Sequence, residues 1–219
     1  MKLKNILPLV SEKGTIDRFH KLYYNSKKTT WANTFWMGVP CLKCPLDLWI
    51  YQEMVFDLKP DRIVECGTAG GGSSFFLAHM CDLVGHGTVL TIDIEAWPNR
   101  PVHERTTYLL GSDTSDEIVG RVREFVKDAK TVMVILDSDH SKEHVAKELD
   151  IYGKFVTPGS YIIVEDSNLG GHPVKHRISP GPMGAIKEFL AENTHFIADH
   201  GREKFYLTFN PSGYLKRIR

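Results

Sequence analysis

Three features of the sequence predict an α/β protein with a mostly parallel sheet, helices on both faces and an antiparallel strand near the C-terminus. Short apolar runs rich in Val, Ile and Leu recur between residues 62 and 165. Helical stretches of ten or more residues separate most of them, the spacing of parallel βαβ crossovers. Several runs end in glycine or acid, as at Cys66-Gly67, Ile92-Asp93 and Leu136-Asp137, where an open parallel sheet presents its ligand-binding loops.

The elements follow in order. Residues 12–25 carry Ile16, Phe19, Leu22 and Tyr23 at roughly helical spacing, and the polar and aromatic segment NSKKTTWANTFWMGVPCLKCP comes next. Asp47 to Leu58 reads as an amphipathic helix with Leu48, Trp49, Met54, Val55 and Leu58 on or near one face, and Lys59-Pro60 stops it. Residues 1–60 are therefore an N-terminal helical arm packed on a core of residues 61–219, within one compact domain. In the core, Arg62–Cys66 is a strand, Ser74–Leu83 a helix, Thr88–Asp93 and Thr107–Leu110 strands, and Ser115–Lys127 a helix. Strand Val132–Asp137, helix Lys142–Phe155, strand Tyr161–Glu165 and helix Pro182–Glu192 continue the alternation. His195–Ala198 and Phe205–Phe209 are the closing strands, the second followed by the turn Asn210-Pro-Ser-Gly213.

Composition narrows the function. The 219 residues include 27 basic and 27 acidic side chains, so no basic field attracts nucleic acid or anionic lipid, and a small or neutral substrate is favoured. The apolar patch in MKLKNILPLV is broken by Pro8 and too short for a signal peptide or membrane span, which points to the cytoplasm. Of the four cysteines, Cys41 and Cys44 form one pair without the second pair a zinc site needs, and they are given no function.

Glu65-Cys-Gly-Thr-Ala-Gly-Gly-Gly-Ser73 joins the first core strand to its helix. Glycines there let backbone approach a ligand, and the helix start offers unpaired N–H groups. The loop is neither the dinucleotide G-x-G-x-x-G nor a P-loop. Its E-x-G-x-x-x-G-G pattern resembles the first motif of class I S-adenosylmethionine methyltransferases, which implies their Rossmann-like fold. Asp93 ends the next strand, where a carboxylate can accept two hydrogen bonds from a ribose diol, and Gly111-Ser112-Asp113 ends the third on the adenine side. The candidate cofactor residues are Glu65, Gly67, Thr68, Gly71, Ser73, Asp93, Ser112 and Asp113.

Val134-Ile-Leu-Asp-Ser-Asp-His140 and Tyr161-Ile-Ile-Val-Glu-Asp-Ser-Asn168 both run from apolar strand into acid. Adjacent parallel strands would bring the acids together. Asp137 or Asp139 with Glu165 and Asp166 then makes an oxygen-rich set suited to Mg²⁺ or Mn²⁺. A helix cap competes with ligation for Asp139. The spacing also resembles catechol-type and caffeoyl-type metal-dependent O-methyltransferases, in which a lysine stands three positions beyond the first aspartate. Here that position is His140, the candidate base for a hydroxyl proton, with Asp137 the second candidate catalytic residue.

Taken together, Asn33-Thr-Phe-Trp-Met-Gly-Val-Pro40, Lys43-Cys-Pro-Leu-Asp-Leu-Trp49, Val64-Glu-Cys-Gly-Thr68, Gly71-Gly-Ser73, Leu136-Asp-Ser-Asp-His-Ser-Lys142, Pro158-Gly159, Val164-Glu-Asp-Ser-Asn168, Gly181-Pro-Met183 and Asn210-Pro-Ser-Gly-Tyr-Leu215 resemble the cephalosporin hydroxylase and rhamnosyl O-methyltransferase family. The resemblance implies S-adenosylmethionine at the glycine loop, Mg²⁺ at an Asp plus Glu-Asp site, and transfer to a hydroxyl of a sugar, glycan or natural product. It leaves Asp137 and Asp139 as alternative ligands. Two other readings stand beside it: an oxygenase, disfavoured because the site lacks the two-histidine face of non-haem iron, and a non-catalytic cofactor-binding module. The loop Asn168–Arg177 reads as a mobile cover. The aromatic segment Trp31–Trp36 is open to sugar stacking or a homo-oligomer interface, with packing against the sheet favoured.

Overall fold

The structure, a computed structural model, describes residues 11–175 and 180–219. The N-terminal patch, together with His176 and Arg177 of the expected covering loop, lies outside the described residues. Six helices are described: α1 (Glu12–Asn25), α2 (Pro45–Leu58), α3 (Gly72–Val84), α4 (Asp116–Val126), α5 (Lys142–Tyr152) and α6 (Gly181–Glu192). A small hairpin, β1 (Phe35–Trp36) with β2 (Val39–Pro40), lies in the arm. The main sheet comprises β3 (Arg62–Cys66), β4 (Thr88–Asp93), β5 (Thr106–Leu110), β6 (Val132–Leu136), β7 (Tyr161–Val164), β8 (Phe196–Ala198) and β9 (Tyr214–Arg217).

Its strand order is β5-β4-β3-β6-β7-β9-β8. The first five strands are parallel, and β9 runs antiparallel to both β7 and β8. The order reverses between β3 and β6, so the carboxyl ends of these two strands open a crevice. No helix among the described residues is long and apolar enough to cross a membrane.

Period-two alternation divides the core. Val64, Leu90, Val134, Leu136 and Ile162 pack with α4, α5 and α6 on one face, while Ile63, Val89, Met133, Ile135 and Ile163 pack with α2 and α3 on the other. The same parity carries past the strand ends: Asp137 and Glu165 continue the α2 side, where Lys43 bonds to both, and Ser138 the α5 side, where it donates to Glu148. The ladder extends far enough to fix this, with Asp137 N–H donating to the Cys66 carbonyl at 2.8 Å and Glu165 N–H to the Leu136 carbonyl at 2.9 Å.

Three expectations are corrected. Phe205–Phe209 is not a strand. Leu207 and Phe209 are instead buried beneath the arm, and Asn210–Gly213 turns the chain into β9 rather than away from a last strand. The face of α2 is as expected at Met54 and Val55, which are buried, and at Leu48 and Leu58, which pack beside them, but it also takes in Ile50, Tyr51 and Asp47, while Trp49 is exposed. Asp47 accepts from Phe209 N–H at 2.8 Å and from the Tyr214 hydroxyl at 2.9 Å, bolting α2 to the C-terminal segment. In α1 the buried side chain is His20, and Phe19 and Leu22 face solvent. His20 stacks on Phe209 and its Nε2 lies 2.9 Å from Asn168 Nδ2, and Tyr23 and Tyr24 pack edge-on against the same Phe209 ring, so aromatic contacts with one polar anchor orient this helix.

Gly67 sets the closest approach in the crevice. It has φ +98°, and a Cβ there would lie 1.9 Å from the Asp137 carbonyl oxygen. Both the backbone conformation and the missing side chain are therefore required. Gly67→Ala is expected to lower unfolding free energy by at least about 3 kcal/mol, measured by urea denaturation.

Candidate active site

A cleft of about 700 Å³ runs along the carboxyl ends of β4, β3 and β6, a size suited to a nucleoside-bearing ligand. Asp93, Trp97, Ser112 and Asp113 line it on the β4–β5 side. Gly67 and Ala69 lie at its middle, and Tyr24, Trp31, Asp137, His140 and Asp166 lie toward the arm.

The predicted cofactor residues fall into two groups. Gly67, Asp93, Ser112 and Asp113 face the cleft. Glu65, Thr68 and Ser73 do not line it: they form a buried brace under the loop. Ser73 and Thr91 hydroxyls both donate to the Glu65 carboxylate, the latter at 2.6 Å, and the Thr68 and Thr91 hydroxyls are 2.7 Å apart. Gly71, at the N-terminus of α3 with φ +81°, backs onto Pro101 and Tyr108. Asp93 does two things at once. It walls the cleft, and its Oδ2 accepts from Ala69 N–H at 2.7 Å, clamping the glycine loop to β4. Arg100 closes this clamp, with Nη2 3.2 Å from the same oxygen and Nε donating to the Ala69 carbonyl at 2.9 Å.

The predicted acids are also sorted. Ligand atoms of Asp137, His140 and Asp166 all lie within 4.8 Å of one another. Asp166 reaches them because its φ of +53° bends the chain directly after β7, and His140 Nε2 is 3.3 Å from Asp166 Oδ2. Asp139 is outside this group. Its carboxylate accepts from Ser141 N–H at 2.6 Å, and the cap of α5 is Ser141 itself rather than Asp139. Glu165 points to the other face, accepting from Lys43 Nζ at 2.5 Å and the Tyr51 hydroxyl at 2.7 Å. Lys43 also donates to Asp137. Burial and then the Asp137 charge push the Glu165 carboxyl up to about 7. Burial alone would lower the Lys43 amine, but Asp137 and Glu165 outweigh it and hold that amine well above its ordinary range.

Two carboxylates form an oxygen donor pair open to the cleft, with the His140 imidazole beside them. It fits an oxygen-preferring divalent ion, and the remaining coordination positions would fall to water or substrate oxygens. The N-terminal segments supply the opposite wall. Tyr24 and Trp31 stack at 5.3 Å, each braced edge-on by Phe209, and Trp31 Nε1 donates to the Tyr24 carbonyl at 2.9 Å. Lys43, Tyr51 and Tyr24 carried no distinguishing local pattern in the sequence. The Lys-Cys-Pro start of α2 was visible only as part of the family resemblance.

Beneath Asp113 lies a second buried cluster that the sequence did not reveal. His144 Nε2 is 3.1 Å from Asp113 Oδ1, Ser138 donates to Glu148 Oε1 at 2.9 Å, and Cys66 completes the group. Burial, then the nearby Asp113 charge, raises the Glu148 carboxyl to about 9. All four cysteines are unpaired and buried, and burial lifts the Cys41 and Cys44 thiols to about 12, which leaves them unreactive.

A doubly wound sheet with a glycine loop at its switch point and acids on the next strand ends is the fold and site plan of a class I methyltransferase. The chain belongs to the family described as Rhamnosyl O-methyltransferase/CmcI, which matches residues 28–218. It is 35% identical over 209 residues to the Rhamnosyl O-methyltransferase of Mycobacterium leprae (strain TN), covering 92% of this chain and 90% of that protein. The solved structure of CmcI with Mg and SAM superposes with a TM-score of 0.64 at 21% identity, over 86% of this chain and 78% of that one. MycE, a methyltransferase from the mycinamycin biosynthetic pathway solved with Mg, SAH and mycinamycin VI, gives 0.51 at 18% identity, over 78% of this chain and 45% of that one.

The Glu148 environment makes a pH prediction. An acid raised from 4.5 in the unfolded chain to about 9 in the fold adds stability that is complete below about pH 4.5 and is lost progressively up to about pH 9. Glu148→Gln, which cannot ionise, is expected to match the native protein at pH 5 and exceed it by about 4 kcal/mol at pH 8 in urea denaturation.

Proposed function

We propose that the protein is a Mg²⁺-dependent, S-adenosylmethionine-dependent O-methyltransferase acting on a sugar hydroxyl of a glycoside, glycan or natural product. The observation that carries this reading is the convergence of Asp137, His140 and Asp166 at one end of a cleft whose other end is walled by Asp93 and Asp113. The named relative, a rhamnosyl O-methyltransferase, supports a deoxyhexosyl acceptor.

S-adenosylmethionine would supply an electrophilic methyl group, and Mg²⁺ a local positive charge that acidifies a nearby hydroxyl. The chain's own residues do the rest. Asp93, which keeps the glycine loop closed, would hold the ribose diol, and Asp113 and Ser112 would meet the base. Asp137 and Asp166 would hold the ion, with Glu165 immediately behind Asp137 on Lys43. His140 Nε2 takes the hydroxyl proton, beside the Asp166 carboxylate that stabilises the imidazolium produced. Tyr24 and Trp31 offer a ring face to the apolar side of the acceptor sugar. Placement in line with the methyl group supplies much of the acceleration, and a rigid, braced wall suits that task.

Calorimetric titration with S-adenosylmethionine, with and without Mg²⁺, followed by methyl transfer to rhamnosides, tests the reading. Micromolar cofactor binding and metal-dependent transfer are expected; absence of cofactor binding under both conditions sinks it. His140→Ala should lower kcat by roughly 10²–10⁴-fold without weakening S-adenosylhomocysteine binding, and Asp166→Ala should abolish metal dependence and transfer together. Trp31→Ala should raise the acceptor KM about 10-fold, as expected for loss of one stacking face, with cofactor affinity unchanged in calorimetry.

A further inference from the structure

Lys43 lies in the arm two residues before α2, is 3% exposed, and has its ammonium between carboxylates from two different strand ends. Asp137 follows β6 and Glu165 follows β7. Period-two alternation turns both toward the α2 face, where Lys43 bonds to each. Tyr51 adds a hydroxyl to the same Glu165 oxygen, and Asn210 Nδ2 donates to the Tyr51 oxygen at 3.1 Å. Asn210 also meets the other branch of the site, because Asp166 N–H lies 3.3 Å from its Oδ1. Asp166 itself turns the opposite way, toward His140.

Two carboxylates that share one buried ammonium, Glu165 nearly buried and Asp137 at the cleft edge, repel each other when both are ionised unless a cation compensates them. Elsewhere such clusters wait for a metal. Here the chain carries its own charge into the cluster, on a side chain whose hydrogen bonds point each acid in a definite direction.

We propose that Lys43 is the resident cation of the acid cluster: a positioning residue that neutralises Asp137 and Glu165 and assembles the metal site before any divalent ion arrives. The idea rests on the metal-site reading above for its second half only. It follows that ion binding adds little to the stability of the native protein, since the charge it would neutralise is already met. Removing the lysine transfers that duty to the ion.

The test compares the full-length protein with Lys43→Met and with Lys43→Met combined with Glu165→Gln, by thermal melting in EDTA and in millimolar Mg²⁺. Loss of one partner from a buried pair should lower the metal-free melting temperature of Lys43→Met by about 10 °C. Mg²⁺ should recover at least half of that loss, whereas the native protein should shift little. The double variant should regain most of the stability without metal, because one of the two uncompensated charges is gone. A Lys43→Met protein as stable as the native one overturns the proposal. So does a double variant no more stable than Lys43→Met, which would assign the lysine to packing alone; if Lys43→Met fails to fold, the double variant decides in the same way. Recovery in the double variant, with no Mg²⁺ heat in calorimetry on the native protein, would uphold the lysine as counter-ion and remove the metal reading instead.

Discussion

The backbone contact between Gly67 and Asp137 is the constraint on which the rest of the site depends. At the switch point, β3 and β6 send their chains in different directions, and the two backbones touch where a side chain would otherwise stand. That contact puts a glycine loop and an acidic loop side by side within a single crevice. A wider separation would leave a cofactor site and an acid cluster as unrelated features of one sheet. The brace of Glu65, Ser73 and Thr91 beneath the loop makes the close approach repeatable, since it fixes β3, α3 and β4 relative to one another.

The sheet alone does not complete the site. Lys43 and Tyr51 enter from the arm and α2, Tyr24 and Trp31 from the segment before them, and Asn210 from the turn before β9. Asp47 ties these contributors together by bonding α2 to Phe209 and Tyr214. Burial raises its carboxyl to about 7, so the bolt combines strong directional contacts with a real electrostatic cost. The acid cluster and the aromatic wall thus share one support, Phe209 and its neighbours. Changes there will be felt at both.

Much of the fold was legible because its signals are local. Alternating apolar runs and helices marked β3 to β7 and α3 to α6, and strand parity followed once the sheet was assumed. Elements whose burial is set by polar contacts were misread. In α1 the buried residue is a histidine satisfied by Asn168, in α2 an aspartate and a tyrosine share the inner face, and Phe205–Phe209 is apolar because it lies under the arm rather than in a sheet. In the site, Asp137, His140 and Asp166 were visible as residues at strand ends. The division between Glu165 and Asp166 was not, because it arises from a left-handed residue at Asp166 and from Lys43, more than ninety positions before Asp137 (137 − 43 = 94). Glu65 was read as a ligand contact since motif position alone cannot tell a residue that touches a cofactor from one that shapes the loop around it.

The placement of β9 has a consequence for how the chain is made. This strand lies between β7 and β8, although it follows both in sequence. As the polypeptide leaves the ribosome, β8 therefore emerges with no partner to pair with, and β7 shows an open edge at Tyr161, Ile162 and Ile163, the residues β9 will cover. In the finished sheet β7 and β8 stand two strand spacings, about 10 Å, apart, and the strand from Tyr214 to Arg217 alone bridges them. An uncovered edge of this kind is open to pairing with other strands, and the insertion of β9 that closes it also brings Asn210 beside Tyr51.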